Sequence, residues 1–316
     1  MILGIDTSCY TTSVAVCDEQ GRLLCEKRRL LPVSQGECGL RQSDGLFAHT
    51  KQLPQMVEDL YAQIDDLQLS RNLKAVAVSA RPRPVEDSYM PVFLAGCAVA
   101  RSLAVAMRVP LFETSHQEGH LAAALYSADL PHKDQAFLAF HLSGGTGELL
   151  RVTPRKDGFD VELIGDTDLP PGQFVDRVGV ALGMPFPAGV HLEKLAEQAA
   201  SCDFRLSGSV KGTHISFSGP ESAAQRAIAQ GVSGEQIAAA VLDNIAKSLT
   251  KAIKAGRELS GIKPVLLMGG VASNKRIRRH LKMPGVYFAA PELSSDNACG
   301  VALLGQKMWT LSMRDE

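Results

Sequence analysis

The 316-residue sequence is poor in aromatics, 5% with a single tryptophan, and has almost no net charge. Its 33 lysines and arginines stand against 34 aspartates and glutamates. A chain that grips nucleic acid unaided carries a basic surplus, so such a partner has to be met through a local patch or a helper subunit. The seven cysteines (9, 17, 25, 38, 97, 202 and 299) are odd in number and scattered, with no Cys-x-x-Cys. They read as reduced thiols rather than a disulfide framework. The longest apolar run, Pro91 to Met107, is broken by Arg101 and falls short of a membrane span. Met1 to Asp6 shows no basic segment leading into a long apolar one, as a secretory signal would. The expectation is a cytoplasmic protein with no membrane partner. What is present, 45% apolar and 21% charged residues, is ordinary for a globular chain and excludes a disordered, collagenous or coiled-coil one. The length, more than twice the usual domain of about 150 residues, points to two domains.

One pattern occurs twice. Ile2 to Asp6 is a short apolar strand, followed by the small polar turn Thr7-Ser8-Cys9-Tyr10-Thr11-Thr12, a strand over Ser13 to Cys17, and the turn Asp18-Glu19-Gln20-Gly21 into a third strand. Phe137 to Leu142, Ser143-Gly144-Gly145-Thr146-Gly147, Glu148 to Val152, Arg155-Lys156-Asp157-Gly158 and Phe159 to Ile164 repeat it. Each copy is strand, small turn, strand, charged turn, strand. Helical spacing follows at Thr50 to Asp65, Pro91 to Met107, Gln173 to Leu182, Leu192 to Ala200 and Gly234 to Glu258. Leu73 to Ser79 and Pro264 to Met268 read as strands, the latter ending in Gly269-Gly270. Such alternation implies an α/β fold with helices packed on mixed sheets. Paired small turns suggest a nucleotide clamp, because exposed backbone amides hold phosphates.

The sharper signal is Thr114-Ser115-His116-Gln117-Glu118-Gly119-His120. Ser115 followed three residues on by Glu118 is a capping box that starts a helix. His116 and His120 then lie four apart on one face, about 5–6 Å between Cβ atoms, a spacing that lets two imidazoles share a metal. The positive end of the helix should keep both rings neutral. The alternative is two surface histidines in a polar first turn. A His-Glu-x-x-His protease needs Glu directly after the first histidine, and Gln117 stands there, so a protease is not expected.

Seven motifs in order carry a family resemblance. They are Ile5-Asp6-Thr7-Ser8-Cys9, Ser115 to His120, Leu142-Ser143-Gly144-Gly145, Phe174-Val175-Asp176-Arg177, Ser216-Phe217-Ser218-Gly219, Gly269-Gly270-Val271-Ala272-Ser273-Asn274 and Ser295-Asp296-Asn297-Ala298. Together they resemble the tRNA threonylcarbamoyladenosine transferase family, once described as O-sialoglycoprotein endopeptidases or glycoproteases, over essentially the whole chain. The resemblance implies two ribonuclease-H-like domains of the actin, sugar kinase and Hsp70 ATPase class, with a nucleotide cleft between them. The expected boundaries are 1–108, 109–295, and a C-terminal helix over 296–316 that returns to the first domain. By the same resemblance His116, His120 and Asp296 would bind one divalent metal, iron or zinc, with Ser295 capping the last helix. Ser143, Gly144 and Gly145 would cradle phosphates, and Asp176, Gly189, Glu193, Gly270 and Asn274 would contact the nucleoside of ATP, ADP, AMP or an acyl-adenylate. Asp6 and Ser8 are the candidate catalytic residues. The implied reaction is attack by a tRNA adenosine amine on the carbonyl of threonylcarbamoyl-adenylate.

The departures are informative. The family's bacterial branch has two acids where this chain has Tyr10-Thr11, and a histidine where it has Thr146. The stretches Gly39-Leu40-Arg41-Gln42-Ser43-Asp44-Gly45 and Arg81-Pro82-Arg83-Pro84-Val85-Glu86-Asp87 also differ from that branch, whose second loop is plainer and glycine-rich. A divergent paralogue with a changed acceptor fits this pattern. Two functions stay open: metal-dependent transfer of a threonylcarbamoyl or carbamoyl group from an adenylate, or a catalytically reduced nucleotide-binding scaffold that pairs with family partners. The retained metal triad favours the transferase, and the lost acids favour the scaffold. A transferase would meet tRNA only with helper subunits, and a homodimer or a heterodimer with a paralogue is compatible with either. Blander readings apply elsewhere. Lys275, Arg276, Arg278, Arg279 and Lys282 form a solvated helix face, His49 is a cap-region or surface group, Cys9 is a small buried residue, and Trp309 packs the last helix on the first domain.

Overall fold

The computed structural model describes residues 1–8, 10–32, 40–69, 71–199 and 203–314. The chain divides into two compact units: Met1–Ser127 with Pro154–Asp160 and Asp296–Glu316, and Ala128–Thr153 with Val161–Ser295.

The first unit begins with β1 (Ile2–Asp6), β2 (Thr11–Cys17) and β3 (Leu23–Leu30), continues through α1 (Gln42–Asp66), β4 (Ala75–Arg81), α2 (Phe93–Met107), β5 (Leu111–Ser115) and α3 (His116–Ser127), and takes in the chain's last helix, Cys299–Ser312. Its sheet runs β3-β2-β1-β4-β5. The first three strands pair antiparallel, and β4 and β5 add in parallel. Every residue of β1 and β2 is buried, as strands covered on both faces require. One face carries α1 and α2. Leu53, Met56, Leu60 and Ile64, at the three-and-four spacing of a helix face, join Leu3, Ile5, Val14, Val16, Val76 and Val78 in one core. The last helix lies against β1 so closely that a Cβ on Gly4 would come within 2.7 Å of the Ala298 carbonyl oxygen. Trp309 is half-buried on that helix.

Apart from the Pro154–Asp160 segment, which belongs to the first unit, the second unit holds β6 (Phe137–Leu142), β7 (Gly147–Pro154), β8 (Phe159–Asp166), α4 (Pro171–Ala181), α5 (Gly189–Glu197), β9 (Ser209–Lys211), β10 (His214–Ser216), α6 (Ser218–Ala229), α7 (Gly234–Ser260), β11 (Val265–Met268), α8 (Lys275–His280) and β12 (Val286–Phe288). Its five-stranded sheet, β8-β7-β6-β11-β12, repeats the first: β6 and β7 are antiparallel, and β11 lies parallel between β6 and β12. This is the ribonuclease-H-like arrangement, present twice. The 27-residue α7 is the spine of this core, with Ile237, Val241, Leu242, Ile245, Leu249 and Ile253 all buried. Ser233 caps its start by accepting from the Gln236 amide, and Gly261, at φ 72°, ends it in the left-handed conformation that glycine adopts without strain.

Several expectations need correction. The boundary expected at 108 falls at 127, because β5 pairs with β4 along its length and carries α3 with it. The helix expected from Thr50 begins at Gln42. His49 is neither a cap nor a surface group. It is fully buried in α1, with Nδ1 2.8 Å from Thr12 Oγ1. The basic run on α8 is only partly a solvated face. Arg276 pairs with Asp243 at 2.6 Å, and Arg278 donates to backbone carbonyls and lies over the Phe288 ring. The expectations for Cys9, Gly39 and the Ala200 end of a helix fall outside the described residues. The described cysteines, 17, 25, 97 and 299, are free thiols. Among the described residues no helix is long and apolar enough to cross a membrane.

Candidate functional site

The junction of β5 and α3 is built by local sequence. Ser115 Oγ accepts from the Glu118 amide at 3.2 Å, and Glu118 Oε2 accepts from the Ser115 amide at 3.0 Å and its hydroxyl at 2.7 Å. This reciprocal cap starts α3 at His116 and fixes where both histidines fall. A glycine brings the third partner. A Cβ on Gly300 would collide with the Gly119 carbonyl oxygen and stand 3.0 Å from the Ala123 amide. Glycine at 300 therefore lets the last helix meet the α3 backbone at Gly119, which sets Asp296 beside His120. The last helix begins at Cys299, three residues beyond Asp296, and Asn297 rather than Ser295 accepts the Cys299 amide at 3.0 Å.

His116 Nε2 lies 3.0 Å from His120 Nε2 and 3.7 Å from Asp296 Oδ1, and His120 Nε2 lies 3.2 Å from the same oxygen. Donors bound to one metal at about 2.0–2.2 Å stand about 3–3.5 Å apart, so this donor set fits a divalent ion. Two imidazoles and one carboxylate suit zinc or iron and leave positions open for other ligands.

Asp6 stands behind the triad. It is fully buried at the end of β1, and its Oδ1 faces His116 Nδ1 at 3.3 Å. Ser8 Oγ donates to Oδ2 at 2.6 Å, and Ser79 Oγ donates to Oδ1. Burial works to raise the Asp6 carboxyl, but the charge and hydrogen bond of His116, with the two serine hydroxyls, hold it below the usual carboxylate range. Burial also works to lower His116. Asp6 outweighs it by charge and hydrogen bond, helped by Asp296, and His116 is raised to about 9. The expected neutral ring at His116 is thus not what these surroundings favour without a metal, because Asp6 and Asp296 outweigh burial. Ser8, like Asp6, is fully buried. Both touch the triad or its support rather than solvent.

The eight nucleotide candidates lie in the second unit and form one circuit. Ser143 closes the turn after β6: its amide donates to the Thr146 carbonyl at 2.8 Å, and its hydroxyl accepts from the Gly145 and Thr146 amides at 3.3 and 3.1 Å. A Cβ on Gly144 or Gly145 would meet nothing within 4 Å, whereas one on Gly172, at the start of α4, would stand 2.6 Å from Ser143 O and Gly144 Cα. The turn is therefore seated on α4 and open on its other side. Asp176 on α4 accepts from the Ala188 amide at 2.7 Å, next to Gly189, and burial raises its carboxyl. Glu193 on α5 accepts from the Lys275 amide at 2.8 Å, and Asn274 caps α8 through the Arg276 and Ile277 amides, both at 3.0 Å. Gly269, at φ 95°, has room for no side chain against the Leu142 carbonyl, and this brings Gly270 back beside the turn after β6.

Asp168 belongs to none of the sequence motifs. Its carboxylate accepts from Ser216 Oγ at 2.6 Å and from the Phe217 and Ser218 amides at 2.7 and 3.3 Å, anchoring the Ser216-Phe217-Ser218-Gly219 motif at the start of α6. Only an acid shortly before a candidate helix hinted at it. At the departures, Tyr10 is exposed while Thr11 is buried within β2, so position 10 alone offers a side chain to solvent.

The family model for tRNA N6-adenosine threonylcarbamoyltransferase (TsaD) matches residues 47–303. Among solved structures the chain is similar to the activator of the 2-hydroxyisocaproyl-CoA dehydratase from Clostridium difficile with bound ADPNP, at 14% identity, covering 100% of this chain and 97% of that one with a TM-score of 0.56. It is similar to HypF from T. kodakarensis at 17% identity, covering 98% and 47% with a TM-score of 0.59. A ROK family glucokinase from Streptomyces griseus, in complex with glucose and AMPPNP, matches at 13% identity, 97% and 99% coverage and a TM-score of 0.53. At these identities the likeness establishes the fold, two ribonuclease-H-like domains of the actin and sugar-kinase class.

Proposed function

The chain belongs to the tRNA N6-adenosine threonylcarbamoyltransferase family, and we propose that it moves a threonylcarbamoyl- or carbamoyl-type group from an adenylate to an amine with the help of a divalent metal. The observation that carries this reading is the convergence of His116 Nε2, His120 Nε2 and Asp296 Oδ1 within 3.7 Å of one another. A metal held there would act as a Lewis acid toward a carbonyl or phosphoryl oxygen. Asp6 acts through His116 as a positioning residue, accepting the Nδ1 proton so that Nε2 presents its lone pair, the usual arrangement behind a metal-bound histidine. Ser8 and Ser79 hold Asp6 in turn. Ser143, Gly144 and Gly145 would bind the phosphate of the adenylate, with Asp176, Gly189, Glu193, Gly270 and Asn274 around the nucleoside. Tyr10 and Thr11, where the resemblance leads one to expect acids, support an acceptor other than the main branch's tRNA adenosine.

The test is AMP release from threonylcarbamoyl-adenylate by purified protein, with water as the default acceptor. Release above the uncatalysed rate in the wild type and its loss in His120→Ala are expected. Equal release by both proteins overturns the transfer reading and leaves the nucleotide-binding scaffold, which the missing acids favour.

A further inference from the structure

Arg81 ends β4 beside the candidate metal centre. It pairs in register with Ser115, the residue before His116. The next residue, Pro82, accepts the Gln117 amide at 3.0 Å, which ties this strand end to the first turn of α3. Two residues earlier, Ser79 holds Asp6, which faces His116. Between Ser79 and Arg81 the ladder slips by one residue, a bulge of the kind that re-aims a side chain at a strand end. Strands β1, β4 and β5 run parallel toward this end, and the carboxyl ends of parallel strands are where α/β sheets bind ligands.

The guanidinium there is unmatched. Six arginines of this unit have carboxylates, among them Arg28 with Glu26, Arg101 with Glu113 and Arg155 with Asp160, whereas Arg41 and Arg108, like Arg81, form no such pair among the described residues. Among the described residues Arg81 has none, and its Nε is closed off from solvent without a hydrogen-bond partner. A buried donor on a permanent cation left without an acceptor is costly, and arginine's planar fork matches a carboxylate through two parallel hydrogen bonds.

We propose that Arg81 binds a substrate carboxylate, that of the N-carbamoyl amino acid being transferred, beside His116, His120 and Asp296. This rests on the transfer reading, whose acyl group carries a free carboxylate that the planar guanidinium matches. Arg81 thereby sets specificity: it selects an acyl group that carries a negative charge over a neutral one of the same shape.

The test compares N-carbamoyl-L-threonine with its uncharged carboxamide by calorimetry, on wild-type protein, Arg81→Gln and Arg81→Lys. The wild type should prefer the carboxylate by about tenfold or more, the scale of a charged hydrogen-bonded pair. Arg81→Gln should bind the two alike, and Arg81→Lys, which keeps the charge but not the fork, should fall between. A preference that survives in Arg81→Gln overturns the proposal, as does a wild type that binds both alike or binds neither. Zinc and AMP binding by the same samples separate the two ideas. Their loss from the wild type sinks the transfer reading, while their retention with an unchanged preference in Arg81→Gln overturns only the role of Arg81.

Discussion

Replacing Asp6 should weaken metal binding without touching a ligand, and the size of the effect should depend on the replacement. Asp6 Oδ1 accepts from His116 Nδ1 and Ser79, and Oδ2 accepts from Ser8. In Asp6→Asn the amide oxygen can stand where Oδ1 stood and keep both hydrogen bonds, while the new NH2 group donates to Ser8 Oγ, whose hydroxyl can turn to accept. What disappears is the charge that makes His116 a better donor. Outer partners of metal-bound histidines are worth about 10–100-fold in affinity, and loss of charge alone belongs at the lower end, about 1.4 kcal/mol. Asp6→Ala also removes the hydrogen bond that selects the Nδ1–H tautomer, and it leaves two buried serine hydroxyls without their acceptor. It belongs at the upper end, about 100-fold or 2.7 kcal/mol. Competition with a chromophoric zinc chelator measures both, with circular dichroism confirming the fold. Affinities within twofold of the wild type for both variants, or an asparagine weaker than the alanine, would refute the claim that Asp6 works through His116.

Three further outcomes follow from the second unit and from the departures. Gly145→Val, whose side chain enters open space, should leave thermal stability within about 0.5 kcal/mol yet abolish AMP binding by calorimetry, whereas Gly172→Ala, driven against Ser143 and Gly144, should lose both. Asp168→Ala should destabilise the second unit by about 1 kcal/mol through loss of the α6 anchor. Because the carboxyl of Asp168 is held below its usual value against burial, by Ser216 and the Phe217 and Ser218 amides, its contribution is present above the unfolded value of about 3.9. It disappears as pH falls through the lower folded value, so wild type and variant should converge in acid denaturation. The protein should fail to replace the main-branch enzyme in a strain lacking it, even with acids restored at Tyr10 and Thr11; robust growth and normal threonylcarbamoyladenosine in tRNA would contradict the changed acceptor.

What could be read from the sequence was what neighbouring residues decide. The two strand–turn–strand–turn–strand copies declared themselves because each strand is apolar and each turn is small or charged. The cap at Ser115 needed only Glu118, three residues on. The short strands β5, β9, β10 and β12, of three to five residues, gave too few positions for an alternation to register, and missing β5 displaced the domain boundary. Helix α6 starts without a side-chain cap of its own; its anchor is Asp168, some fifty residues earlier. The roles of Asp6 and His49 were hidden for the same reason. Asp6 meets a histidine 110 positions away and His49 a threonine 37 positions away, so only the pairing of distant segments turns a conspicuous acid into a support and a presumed surface imidazole into a core one.

The candidate metal triad is held by contacts that owe nothing to a metal, and this fixes what chelation should do. His116 and His120 are placed by the Ser115–Glu118 cap, and Asp296 by the close meeting of α3 with the last helix at Gly119 and Gly300. His116 is oriented by Asp6, itself gripped by two serines. A structural zinc site takes four protein ligands and supplies the folding energy itself; here three donors stand on elements already packed into a sheet-backed core. Chelation should therefore leave circular dichroism at room temperature unchanged and lower only the melting temperature. At a metal concentration of about 100 times Kd the linkage contribution is about 2.7 kcal/mol, and for a unit of this size that corresponds to a shift of about 5–10 °C. A chelated protein that loses cooperative unfolding, or whose first unit becomes protease-sensitive at room temperature, would show that the ion builds the site rather than occupying one the chain has already built.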